Sequence, residues 1–171
     1  MQPVRANEGV SGALNNEVDE ITGELHDGND FSLSAAATGI LNTDGTLALS
    51  FPSQSTAQYI VIKHRNSIET WSADPVPMAP LVNYDFTTAA SQAFGSNMKE
   101  VGPDTWAIFT GDINQDGFID GNDFPMFDTD SFNGVAGMYV ATDMNGDGFV
   151  DGNDFPVFDT NSFNGVMSVH P

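Results

Sequence analysis

The chain has 171 residues, with 24 acidic side chains against 4 basic ones and a formal net charge of −20. That balance excludes nucleic acid and anionic membrane surfaces as partners, because both are held by clustered lysine and arginine. Cysteine is absent, which removes disulfides, thiolate metal sites and cysteine nucleophiles together.

Length allows one domain plus a small appendage, and a hydrophobic share of 40% can supply a core. No apolar run approaches the ~18 residues of a membrane span. The start, Met1-Gln2-Pro3-Val4-Arg5, lacks the pattern of a signal peptide, so the chain reads as a mature fragment or one beginning at an internal methionine. All four basic residues, Arg5, Lys63, Arg65 and Lys99, precede Glu100, and no lysine or arginine follows it. The remainder repels itself unless something positive sits within it.

In chain order, residues 18–25 read as a first short strand. Residues 33–41 and 46–51 read as the two arms of a hairpin. The turn between them carries Asp44-Gly45, and Leu47, Leu49 and Phe51 alternate onto one face. Residues 59–64, β-branched and aromatic, read as a central strand. Residues 68–72, 81–86 and 105–109 are shorter strands, and residues 87–94 hold one helical turn. Strands at this spacing, punctuated by Gly, Pro, Asn and Asp, predict a mainly β chain with an Ig-like β-sandwich over residues 1–110.

Residues 111–171 are built on an internal repeat. Residues 112–135 align with 143–166 at a constant offset of 31, with 19 of 24 positions identical. Such duplication means one structural unit used twice and packed on its copy. Each unit is a loop followed by about ten residues of helix that stop at Gly134 or Gly165. Pro125 and Pro156 fall in the first turn, where proline is tolerated.

The loops carry the chemistry. In the first, Asp112, Asn114, Asp116, Asp120 and Asp123 occupy positions 1, 3, 5, 9 and 12, with Gly117 at position 6. In the second, Asp143, Asn145, Asp147, Asp151 and Asp154 occupy the same places around Gly148. This is the spacing of the EF-hand calcium loop. A hard cation takes six to eight oxygens at about 2.3–2.6 Å. Alternate residues of a curled loop turn their oxygens inward, and the glycine lets the main-chain carbonyl of Phe118 or Phe149 join them. The side chains of those two phenylalanines are then free to pack between the repeats. The predicted cofactor is therefore two Ca2+ ions. Position 12 is aspartate rather than the longer glutamate of ordinary EF-hands, which shortens the arm that closes the cage.

Two calcium loops, each followed by a single helix, resemble a type I dockerin over residues 112–166. The resemblance implies attachment to a cohesin-like partner. The positions that commonly carry a Ser/Thr recognition pair in that family are here Gly121-Asn122 and Gly152-Asn153, a departure that touches the partner and leaves the metal ligands intact. Phe124, Phe127 and Phe132, with their copies Phe155, Phe158 and Phe163, are expected to pack the helices on each other or on the β-part. The first part, through residues 59–71 and 84–94, is similar to a β-sandwich segment preceding such repeats in secreted bacterial surface proteins. In those relatives a further apolar strand lies upstream of Met1-Gln2-Pro3. A chain starting at Met1 would lack an edge strand, and another copy could fill the gap by strand addition. Head-to-tail repetition gives an open fibre.

The expected function is accordingly a calcium-stabilised extracellular or cell-surface module, self-associating into a fibre. A cohesin-binding attachment module and a carbohydrate-binding domain using Trp71 or Trp106 are the alternatives. No enzyme is expected, because no nucleophile, acid/base pair or cofactor loop is evident. His64 reads as a structural histidine. His26 and His170 are too distant in sequence for a zinc motif, and Asp27-Gly28-Asn29-Asp30 reads as a turn.

Overall fold

The computed structural model describes residues 3–171. Strand accounts for 29% of the residues and helix for 19%, so the protein is mainly β, built of antiparallel sheets with few helices. In chain order the elements are a one-turn helix α1 (Val4–Asn7), strands β1 (Glu17–Asp27), β2 (Leu33–Asn42), β3 (Gln58–His64), β4 (Ser67–Trp71), β5 (Lys99–Gly102) and β6 (Thr105–Ala107), and helices α2 (Phe124–Asn133) and α3 (Phe155–Phe163). Strands β2-β1-β3-β4, in that order, make one sheet, and β5 and β6 pair separately. Among the described residues no helix is long and apolar enough to cross a membrane.

Period-two patterning explains the sheet. Along β1, Ile21, Gly23 and Leu25 are buried on one face, while Glu20 is exposed and Thr22 and Glu24 are half-buried on the other. On that second face Val61 lies opposite Trp71, and Tyr59, Val61 and Trp71 form a cluster completed by Phe94. Tyr59 meets Trp71 edge-on, with ring centroids 5.6 Å apart, the geometry aromatic quadrupoles favour.

The hairpin expected from residues 33–41 and 46–51 forms its turn and not its ladder. Asn42 N–H donates to the Thr46 carbonyl at 2.9 Å, and the Asp44 carboxylate accepts from Thr46 N–H at 3.0 Å. Beyond the turn, β2 pairs with β1 instead, and residues 46–51 have no strand partner. Leu47, Leu49 and Phe51 are still half-buried in alternation with exposed neighbours, because they lie against the sheet. A Cβ on Gly23 would come within 2.2 Å of Leu49 Cδ1, and one on Gly39 within 2.7 Å of the Ala48 carbonyl oxygen. These two glycines open the groove that takes the arm. Residues 81–86 form no strand either, and Leu81 is 79% exposed. Three 3-10 turns, Phe86–Thr88, Ala90–Gln92 and Phe94–Ser96, stand where a single helical turn was expected.

The repeat has its own core of Ile113, Ile119, Phe127, Met144, Val150 and Phe158, and Ile68 of β4 belongs to the same cluster. Full burial of a side chain like Ile68 contributes about 1.5–3 kcal/mol, here holding sheet to repeat. The two copies interlock reciprocally. Ile119 N–H donates to the Val166 carbonyl and Val150 N–H to the Val135 carbonyl, each at 2.9 Å. Phe124 stacks on Phe158, and Phe127 stacks on Phe155. Each helix ends as its sequence dictates: Gly134 and Gly165 both sit at φ 62°, the left-handed turn that glycine adopts without steric cost.

Candidate metal centre

Each loop is curled by its own carboxylates. In the first, the Asp112 carboxylate accepts from Asp116 N–H and Gly117 N–H, both at 3.1 Å. Asn114 Oδ1 accepts from Asp116 N–H at 2.8 Å, Asp116 from Phe118 N–H at 3.0 Å, and Asp120 from Asn122 N–H at 2.7 Å. In the second, Asp143 accepts from Gly146, Asp147 and Gly148 N–H at 2.8, 3.3 and 2.9 Å. Asp147 accepts from Phe149 N–H and Asp151 from Asn153 N–H at 3.0 and 2.7 Å. Gly117 and Gly148 take φ 87° and 89°, the left-handed conformation that closes the curl.

Position 12 closes each loop from inside. The Asp123 carboxylate accepts three amides, from Ile113 at 2.7 Å, Asn114 at 3.0 Å and Asp120 at 3.0 Å. Asp154 repeats this with Met144 at 2.8 Å, Asn145 at 2.9 Å and Asp151 at 3.0 Å. The short aspartate arm thus clasps the start of the loop to position 9. An ionised carboxylate has about four lone-pair sites, and three are engaged here.

Burial divides the candidate ligands. Asp112 and Asp143 are 2% exposed and Asp123 and Asp154 are 0% exposed, whereas Asn114, Asp116, Asn145, Asp147 and Asp151 are exposed and Asp120 is half-buried. Burial pushes the Asp112 carboxyl up to about 6, the charges of Asp123 and Asp116 push the same way, and the two loop amides oppose them. Asp154 is raised by burial and by the charge of Asp143, against its three amides. Among the described residues no group of three or more His, Asp or Glu side chains converges as a closed metal cluster. The donor set is all oxygen, which fits a hard cation of the calcium type and no soft metal.

The position-7 phenylalanines do not pack between the repeats as expected. Phe118 is 51% exposed and Phe149 60%, while their neighbours Ile119 and Val150 take the interior at 0% and 2%. Of the helix phenylalanines, Phe127 and Phe158 are buried, and Phe124 and Phe155 are partly covered by each other. Phe132 and Phe163 do not pack at all, each being 89% exposed. Loop 1 also departs from loop 2 at position 4, where Gln115 holds φ 60° and Gly146 holds 73°. Gln115 accepts the strained geometry while its amide donates to the Asp112 carbonyl at 2.6 Å.

Sequence reasoning missed Asn66. It is 2% exposed in the β3–β4 turn, and its side-chain amide donates to the Asp143 carbonyl at 3.0 Å. Its own carbonyl accepts from Gly111 N–H at 2.6 Å and from the Thr110 hydroxyl at 2.9 Å. One residue therefore ties the entries of both loops to the sheet. Arg65 beside it donates to the Val140 carbonyl at 3.0 Å and pairs with Asp19. His64 Nε2 lies 3.0 Å from Asp19 Oδ2, and burial lowers its pKa. Ser67 hydroxyl is 3.4 Å from His64 Nδ1, and Ser67 is 3% exposed.

His26 and His170, distant in sequence, flank Trp71 with centroids 4.6 and 5.9 Å away. Trp71 is 7% exposed and presents no free face to a sugar. The Asp27–Asp30 stretch is a turn: Asp27 accepts from Asn29 N–H at 2.8 Å and Asp30 from Ser32 N–H at 3.0 Å. No family model, curated protein or solved structure matches the chain.

Proposed function

We propose that this protein is a non-catalytic, calcium-stabilised structural module of the extracellular space or cell surface. In this reading a β-sandwich-type part, residues 1–110, carries a dockerin-like tandem calcium repeat, residues 111–171. One Ca2+ is held by Asp112, Asn114, Asp116, the Phe118 carbonyl, Asp120 and Asp123. A second is held by Asp143, Asn145, Asp147, the Phe149 carbonyl, Asp151 and Asp154. The carrying observation is that four carboxylates, two per loop, are almost wholly buried next to one another in a stretch with no lysine or arginine. Loop amides partly solvate these carboxylates, and Arg65 feels the charge of Asp143, but burying charge still costs several kcal/mol, and a divalent cation is the compensation the donor set suits. The ions set loop curvature, and with it the seat of the core residues Ile113, Ile119, Met144 and Val150.

The biological role in this reading is self-association into a homopolymer, such as a surface fibre. A second reading, attachment to a cohesin-like partner, is favoured by Phe132 and Phe163, which project at equivalent places of α2 and α3. Calorimetry on the full chain tests the metal sites: two binding events are expected, with Asp112→Ala and Asp143→Ala each abolishing one. Electron microscopy in calcium and in EDTA tests the role. Calcium-dependent filaments support the polymer, whereas monomers that capture a purified cohesin support the second reading.

A further inference from the structure

The two edges of the main sheet are treated differently. The β4 edge is covered by three segments, through bridges Ser67↔Thr110, Thr70↔Val169 and Ser72↔Ala93. The β2 edge is bare: among the described residues β2 pairs with β1 alone. The arm that patterning assigns to that edge is held under the sheet by Leu49 in the space left by Gly23 and Gly39. Apart from Asn42, whose N–H and carbonyl are taken by the turn that follows, the outer amides and carbonyls of β2 have no strand partner among the described residues.

Sequence makes this edge unusual. Proteins blunt exposed edges with lysine, proline or inward-facing charge, and β2, Leu-Ser-Ala-Ala-Ala-Thr-Gly-Ile-Leu-Asn, has none of these. In a chain of net charge −20 it is a long uncharged strip where two copies can meet without setting carboxylate against carboxylate. The basic side chains offer no alternative contact. Arg5 is paired with Glu17, Lys63 with Glu24 and Glu69, Arg65 with Asp19, and Lys99 bonds Asn161. The other strands with free outer edges, β5 and β6, have four and three residues, and β5 carries Lys99 and Glu100.

We propose that the outer edge of β2 is a self-assembly edge whose occupant is β2 of a second copy, running antiparallel about a twofold axis so that two four-stranded sheets become one. An identical bare strand is the complement the molecule itself supplies, and a twofold contact is the isologous solution. This deepens the self-association reading and rests on it: a twofold contact closes a dimer, the unit that a fibre would extend through a second surface, and it is independent of the calcium loops. Because both partners are strongly acidic, the contact strengthens with added salt.

The test uses the full chain in calcium. Sedimentation across micromolar to sub-millimolar concentration is compared for the wild type and for Ala36→Lys/Thr38→Lys, both exposed positions on β2. The expected result is reversible dimerisation, promoted by salt, that the double variant weakens by about tenfold or more with its circular dichroism unchanged. Self-association that ignores the double variant overturns the β2 edge and leaves the polymer reading standing through another surface. A monomer at every concentration overturns both. Should the variant misfold, hydrogen exchange on the wild type decides: β2 amides must gain protection with protein concentration, and constant protection overturns the edge.

Discussion

The sheet and the repeat differ in what they place inside. The sheet buries Ile21, Leu25 and Val61 at 3%, 2% and 0% exposure, and its ladders satisfy the backbone. The repeat buries Ile119 and Phe158 too, but beside them sit Asp112, Asp123, Asp143 and Asp154 at 2% or less. In the first region apolar burial and ladder hydrogen bonds dominate, and its buried Asp19 is paired with Arg65. The helices of the second have ten and nine residues, a length that is marginal in isolation, and its interior carboxylates oppose collapse. In the proposed reading, one chain carries a region that folds on its own contacts and another that a bound ion would stabilise, joined at Ile68 and Asn66.

The largest effect that sharpens this contrast is expected at the clasp. Asp123→Ala leaves three amide donors without their acceptor, at about 1–3 kcal/mol for a buried unsatisfied group, so the repeat loses at least ~3 kcal/mol. Asp120→Ala, at a half-buried position accepting one backbone amide, is expected to cost under ~1 kcal/mol in EDTA. Thermal unfolding of both variants in EDTA checks the ordering, and equal losses would break the distinction between clasp and ligand.

A pH effect of intermediate size follows from Asp112. Its carboxyl titrates at about 6 in the folded protein against 3.8 ordinarily, so the fold binds that proton more tightly than the unfolded chain does. The stability it lends the metal-free protein is full below about 3.8 and is lost as pH rises through about 6. In EDTA, melting of the repeat should therefore fall between pH 5 and pH 7, while the sheet, where burial keeps His64 neutral, should hold or gain stability over the same interval. Calcium, which needs the ionised carboxylate, should bind more tightly over the same interval. A metal-free repeat that gains stability with pH contradicts this.

The smallest effect separates the two copies. Gln115→Gly removes a left-handed non-glycine residue, worth about 1–2 kcal/mol, and also the side-chain bond to the Asp112 carbonyl, worth about 0.5–1.5 kcal/mol, so stability should move by less than ~1 kcal/mol. Gly146→Gln puts a non-glycine residue at φ 73°, its Cβ at ordinary contact distance from Val4, and the backbone strain is expected to make it the more harmful of the two. Chemical denaturation of the pair tests the ordering.

Much of the repeat was legible because its signals are local. Spacing alone located the loops, Pro125 and Pro156 marked the helix starts, and Gly134 and Gly165 their ends. The sheet was legible in pattern and less so in pairing. Alternation in residues 46–51 correctly put Leu47, Leu49 and Phe51 on one face. Nothing within that stretch announces that Gly23 and Gly39, on two other strands, make a groove for it. For the same reason Asn66 read as an ordinary turn residue, since its partners Thr110, Gly111 and Asp143 are 44 to 77 residues away. A carbonyl turned into the loop leaves the side chains of Phe118 and Phe149 free to pack between the repeats, but the interior goes to their neighbours Ile119 and Val150 at position 8.

Hydrogen exchange on the intact chain, in calcium and in EDTA, tests most directly whether the repeat takes its stability from bound ions. At 100 times its dissociation constant, each ion adds about 2.7 kcal/mol, so amides across residues 112–166 should lose at least about a hundredfold protection on chelation, and up to about ten-thousandfold where both loops open together, while those of β1 and β3 hardly change. Protection in the repeat that is the same with and without calcium would contradict the account.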